Sequence, residues 1–252
     1  MKTTSATSFP SEMPRAALIT GGVRRIGRAL VEALATEGFS VAIHCRSHAD
    51  EARALLATLD VTGCVLEADL TDESQTARLV GDATKALGPL GVLINNASAF
   101  ERDEWSDVTR SSWDRHMETN LRAPFVLMQD FARMLPETAQ GVVLNLLDQR
   151  VWNLTPHFIS YTLSKAGLWT LTQSMALALA PRIRVNAIGP GPVLPAVGQS
   201  QEHFDRMRQN APLGIGANPQ EIVTAAIALL RMPSVTGQMI ALDGGQHLQW
   251  RP

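Results

Sequence analysis

From Ala16 onward, short continuous apolar runs alternate with longer stretches in which apolar residues recur at helical spacing. Runs of the first kind, bounded by Gly, Pro or Asp, read as buried strands, and stretches of the second kind read as amphipathic helices. The pattern predicts strands at residues 16–20, 40–44, 64–67, 92–95, 141–146, 183–187 and 239–242. It predicts helices at 26–37 (stopped by Gly38), 49–59, 72–87 (ending at Gly88), 111–134, 159–180 and 219–230, with a further helical stretch near 202–209. Strands this apolar need cover on both faces, and strands alternating with helices imply parallel crossovers. The expected fold class is therefore α/β: a doubly wound parallel sheet of about seven strands with helices on both faces.

Composition narrows this picture. The chain has 252 residues, 45% hydrophobic and 18% charged, enough for one sizeable core. No linker or repeat divides it, so residues 15–252 are expected to form one domain. Residues 1–14, rich in Ser, Thr and Pro, are expected to form a flexible tail. A net charge of -2 gives no footprint for nucleic acid or an anionic membrane. No stretch approaches the roughly 20 apolar residues of a membrane span. The expected partner is a small molecule, and no metal is expected. Two cysteines occur, Cys45 and Cys64, each in a strand-like run. They read as reduced core residues of a cytoplasmic protein.

Chemistry enters after the first strand, at Thr20-Gly21-Gly22-Val23-Arg24-Arg25-Ile26-Gly27. A glycine-rich strand-to-helix turn lets backbone approach a pyrophosphate at a helix N-terminus, although an ordinary tight turn would make the same connection. The second strand ends in His44-Cys45-Arg46-Ser47-His48, with no carboxylate until Asp50. An acid there would accept ribose hydroxyls and repel a phosphate; Arg46 and Ser47 instead offer donors to a ribose phosphate. Tyr161, the only tyrosine, lies four residues before Lys165. That spacing puts phenol and ammonium on one helical face. Lys165 is then expected to lower the phenol pKa and make Tyr161 a proton donor near neutrality.

In this order and at these intervals, residues 16–248 resemble the short-chain dehydrogenases/reductases, whose fold is Rossmann-like. The turn resembles their Thr-Gly-x-x-x-Gly-x-Gly pattern, with Arg25 where the middle glycine usually stands. The resemblance implies a cofactor site of Thr20, Gly21, Arg25, Ile26, Gly27, Arg46, Ser47, Asp69, Leu70, Asn96, Ala97, Ser98, Lys165, Pro190 and Gly191. With the missing acid and Arg25, the implied cofactor is NADPH/NADP. Asn120 matches the family's helix-kinking asparagine, which helps hold a proton-relay water.

Most members carry a serine thirteen residues before the tyrosine; here that position is Asp148. A carboxylate has no proton for a ketone oxygen and would repel a developing alkoxide, whereas it suits a protonated ring nitrogen or amino groups. A strand-end Asp capping the next segment is the alternative. Arg25, Asp148 and Asn95-Asn96-Ala97-Ser98-Ala99-Phe100 together resemble the pteridine reductases. That likeness implies hydride transfer to a C=N bond of a pterin or dihydropterin, with dihydromonapterin or dihydrofolate as substrates. Tyr161 would supply the proton with Lys165 and Asp148, and Phe100 would stack on the ring. Ser98 would also face the substrate. Leu194 and Val197, in the loop after Gly189-Pro190-Gly191, would line an apolar pocket or close the fold.

Two other readings stand beside this one: a 3-oxoacyl-ACP or general carbonyl reductase, and a non-catalytic NADPH-sensing protein. The resemblance further implies assembly through helices 111–134 and 159–180, to a homotetramer. The ending His247-Leu248-Gln249-Trp250 offers apolar groups that a partner subunit would cover.

Overall fold

The computed structural model describes residues 8–195 and 198–249. Its centre is a seven-stranded, wholly parallel sheet. The strands are β1 (Ala16–Ile19), β2 (Ser40–Cys45), β3 (Gly63–Glu67), β4 (Val92–Asn95), β5 (Gly141–Leu146), β6 (Ile183–Pro190) and β7 (Met239–Leu242). Their spatial order is β3-β2-β1-β4-β5-β6-β7. The order reverses between β1 and β4, and a crevice opens beyond the strand ends at such a switch point.

Side chains alternate across the sheet, which explains the continuous apolar runs. On β1, Ala17 and Ile19 join one core while Ala16 and Leu18 join the other. The first core packs under α1 (Arg25–Thr36), α2 (Ala49–Leu56) and, near the chain's end, α9 (Pro219–Arg231). Between these in sequence come α3 (Glu73–Thr76), α4 (Leu79–Leu87), α5 (Arg110–Met117), α6 (Ala123–Met134), α7 (Ile159–Ala178) and α8 (Gln201–Gln209). The second core packs under α4, α6 and α7. Among the described residues, no helix is long and apolar enough to cross a membrane.

Three expectations need correction. The helix expected at 72–87 is two helices: Asp72 caps α3 by accepting from Ser74 N and Gln75 N, and the chain turns before α4. The helix expected at 111–134 is interrupted by a π turn at Glu118–Arg122. Pro124, in the first turn of α6, has no N–H to give the carbonyl four residues back, that of Asn120, so the ladder shifts register there. Of the expected tail, Phe9 and Met13 pack onto the first core. Met13 is buried in the first core, and Phe9 meets the Phe39 ring edge-on at 5.1 Å. A Pro-rich composition concealed these two apolar anchors. Cys45 and Cys64 are free thiols, Cys45 buried and Cys64 partly so. Val197 and Trp250 lie outside the described residues.

Candidate active site

The glycine-rich turn is held against β4 by Thr20. Its hydroxyl accepts from both Asn96 N and Ala97 N at 3.0 Å, and Asn96 Nδ2 donates back to Thr20 O and Gly21 O. Gly21 sits at φ +62, where side chains are rare. A Cβ on Gly27 would lie 2.0 Å from Gly21 O and 2.7 Å from Asn96 Nδ2, so the first turn of α1 reaches this close only as glycine. His44 locks the same turn. Gly21 N donates to Nδ1 at 3.2 Å, so the ring proton is on Nε2, which donates to Ala68 O at 3.0 Å. Burial keeps the His44 pKa below its ordinary value. Sequence reading missed this residue; its signal is a histidine inside an otherwise apolar strand.

A groove of about 520 Å³ runs over this turn, lined by Gly21, Arg25, Ile26, Gly27, Arg46, Asp69, Leu70 and Asn96–Phe100 among others. These include most of the residues expected to hold the dinucleotide. Gly21 and Gly27 bare backbone to this groove at the start of α1, and Arg25 and Arg46 stand on its wall, so the residues fit a dinucleotide and its phosphates. Two expected residues line neither this groove nor the cavity that adjoins it. Thr20 is buried behind the turn and acts by shaping it. Ser47 does not line the groove; its exposed hydroxyl meets His48 Nδ1 at 3.2 Å. Asp69 accepts from Thr71 N and Oγ1, which holds its carboxyl below the usual range.

A second cavity, of about 280 Å³, continues from the groove. Arg25, Asn96, Ser98, Phe100, Asp148, Tyr161, Lys165, Pro190, Gly191 and Leu194 line it, with Arg150 and Gln246. β5 ends just before Asp148 and α7 carries Tyr161 and Lys165, so sheet and helix bring the three together. The Tyr161 hydroxyl donates to Asp148 Oδ2 at 3.0 Å. Arg150 Nη1 donates to the same oxygen at 3.0 Å, and Arg150 N to Oδ1 at 2.8 Å. Asp148 thus caps the 3-10 turn Gln149–Val151, as the capping alternative expects, and also accepts from the phenol. Arg150 was missed; a cation two residues after a candidate acid was the available signal.

The electrostatics differ from the expectation for Tyr161. Its pKa lies well above the ordinary value, because burial, then the Asp148 charge, disfavour phenolate more than Arg150 favours it. Lys165 does not offset this. Its Nζ donates to Leu146 O at 2.7 Å and lies 5.9 Å from the Tyr161 ring centroid. Burial lowers the Lys165 pKa to about 8, against the opposing pull of Asp148. The site therefore holds a protonated phenol that donates to a carboxylate.

Phe100 borders both spaces and is 42% exposed. One face stacks on Phe158 at 4.9 Å with 7° between planes, and the ring meets Tyr161 edge-on at 4.8 Å. The Arg150 guanidinium lies over the Phe158 ring at 4.9 Å. Asn120, fully buried in the π turn, does not reach either cavity. Its Oδ1 accepts from Ala99 N, and its Nδ2 donates to Ala99 O and Ser164 Oγ. The Arg25 guanidinium donates to Pro195 O at 2.8 Å and Leu194 O at 3.0 Å, joining the glycine-rich turn to the loop after β6. At φ 54, Arg25 has left-handed backbone, a conformation that residues other than glycine rarely adopt.

Comparison with known proteins agrees with this geometry. The family model described as enoyl-(acyl carrier protein) reductase matches residues 21–247. L-xylulose reductase of Bos taurus is 34% identical over 241 residues, covering 92% of this chain and 96% of its own. Two solved structures described as FolM alternative dihydrofolate reductase 1, both in complex with NADP, superpose closely. That from Brucella canis is 45% identical with a TM-score of 0.92, covering 96% of this chain and 98% of the other. That from Brucella suis is 46% identical with a TM-score of 0.91, covering 95% and 97%. With a family model matching residues 21–247, a relative 34% identical over nearly the whole chain, and the glycine-rich turn and Tyr161–Lys165 pair beside one parallel sheet, the chain belongs to the short-chain dehydrogenase/reductase family of oxidoreductases.

Proposed function

We propose that this protein reduces a C=N bond of a pterin or dihydropterin with NADPH. The observation that carries this reading is the Asp148 carboxylate in contact with the Tyr161 hydroxyl beside the exposed ring of Phe100. When bound, the reduced nicotinamide supplies a hydride to the ring carbon. Tyr161 passes a proton to the ring nitrogen, directly or through water, and Lys165 orients the cofactor's ribose beside it. Asp148 accepts N–H groups of the substrate and orients the phenol, a part a serine hydroxyl would play for a ketone. Phe100 covers one face of the flat ring. Ser98 and Leu194 complete the pocket wall. Arg46, on the groove wall, pairs with the ribose phosphate. Asn120 acts on the pocket through Ala99. The NADP bound by the two Brucella relatives supports the cofactor assignment.

The assay is NADPH oxidation with dihydrobiopterin or dihydromonapterin, beside an acetoacetyl thioester and an NADH control. Pterin turnover with NADPH is expected. Turnover of the thioester alone would replace this reading with a carbonyl reductase. The free thiols fit a cytoplasmic protein. A homotetramer accounts for Leu177, 83% exposed on α7, and for Leu248, 71% exposed near the chain's end. A monomer in light scattering would exclude it.

A further inference from the structure

Asp103, His116 and Ser160 form a buried polar cluster beside the active site that none of the steps above uses. Glu101 N donates to His116 Nε2 at 3.1 Å, so the ring proton is on Nδ1, which donates to Ser160 Oγ at 2.6 Å. Ser160 Oγ donates in turn to Asp103 Oδ2. Ser160 N also donates to Asp103 Oδ1 at 3.2 Å. That bond matters because α7 starts at Phe158 in left-handed backbone with no side-chain cap of its own. Asp103 supplies, from a separate segment, the acceptor and negative charge that a helix N-terminus favours.

The cluster repeats a pattern. His116 and Asn120 are four residues apart, as are Ser160 and Ser164. One connection runs from Glu101 N through His116 to Ser160; the other runs from Ala99 through Asn120 to Ser164. Each ends one residue before a catalytic side chain, Tyr161 or Lys165. Phe100 lies between the two gripped peptide groups, so both neighbours of this ring are tied to the helix that carries the proton donor.

We propose that His116, Ser160 and Asp103 are positioning residues that fix the Phe100 ring relative to Tyr161 and so set the gap into which the substrate ring fits. This rests on the reading of Phe100 as the ring's stacking partner. All three side chains are almost wholly buried, so the connection is desolvated, and breaking it strands a buried donor or acceptor. Loosening Phe100 weakens substrate binding while Tyr161 keeps its bond to Asp148.

The test is steady-state kinetics with NADPH and dihydrobiopterin on Ser160→Ala, Phe100→Leu and the double variant. Hydrogen exchange at residues 99–104 is read on each NADPH-bound protein. Ser160→Ala is expected to raise KM for the pterin about tenfold with kcat and NADPH affinity near wild type. The double variant is expected to be no worse than Phe100→Leu alone, since Ser160 acts through that ring. Exchange at 99–104 rises in Ser160→Ala. Additive losses, or an unchanged KM, overturn the proposal. If Ser160→Ala fails to fold, His116→Phe, which keeps a ring against Tyr161 and removes both nitrogens, takes its place. Wild-type protein that leaves dihydrobiopterin unreduced sinks the pterin reading instead. The clamp is then judged on exchange alone, and unchanged exchange overturns it.

Discussion

Replacing Lys165 with methionine should abolish catalysis and stabilise the fold. Lys165 is 2% exposed, and burial lowers its pKa from 10.5 to about 8. At about 1.4 kcal/mol for each factor of ten, carrying that charge costs the folded state about 3 kcal/mol. Methionine fills a similar volume without the charge but gives up the 2.7 Å charge-assisted hydrogen bond to Leu146 O, worth about 2 kcal/mol. The net gain is about 1 kcal/mol at neutral pH. For a chain of this length that raises Tm by about 2–4 °C. The sign follows from the depressed pKa. Below about pH 8 the lysine is charged in both states and the cost is complete. Between about 8 and 10.5 the folded state has shed its proton while the unfolded chain has not, so wild-type stability rises with pH. The advantage of Lys165→Met therefore shrinks across that window. Thermal melts of both proteins at fixed concentration, at neutral and strongly alkaline pH, measure this. A variant less stable than wild type at neutral pH would refute the reasoning.

Other expectations follow from single contacts. Gly27→Ala places a Cβ 2.0 Å from Gly21 O and should weaken NADPH binding by about 1–3 kcal/mol, read by fluorescence titration. Unchanged affinity would mean that the turn does not hold the dinucleotide. Arg46→Glu should lower kcat/KM for NADPH about 100-fold and spare NADH, by replacing a phosphate donor with a repelling charge; an unaltered preference would remove Arg46 from the cofactor site. Arg25→Ala removes both bonds to the loop at Leu194 and Pro195, so proteolysis of that loop should accelerate. Equal cleavage rates would show that Arg25 does not restrain it.

What the sequence disclosed and what it hid divide by distance along the chain. Strands such as β5 announce themselves because both faces are buried, and α1 because its apolar stripe is local. The glycine-rich turn and the Tyr161–Lys165 spacing are local too. The partners that fix the site are not: Ser160 meets Asp103 across 57 positions, and His44 meets the turn across 23. No periodicity encodes such pairs. The Tyr161 expectation went wrong for the same reason, since four-residue spacing says nothing of burial or of where the ammonium bonds. Pro124 did carry a local signal for the π turn, but the apolar period on either side of it outweighed a single residue.

On the proposed reading, Asp148 fits this site to a pterin. The direct measurement is NADPH oxidation by wild type and Asp148→Ser with dihydrobiopterin and with an acetoacetyl thioester. Pterin turnover is expected in wild type and lost in the serine variant. Thioester reduction by wild type with no pterin turnover would contradict it.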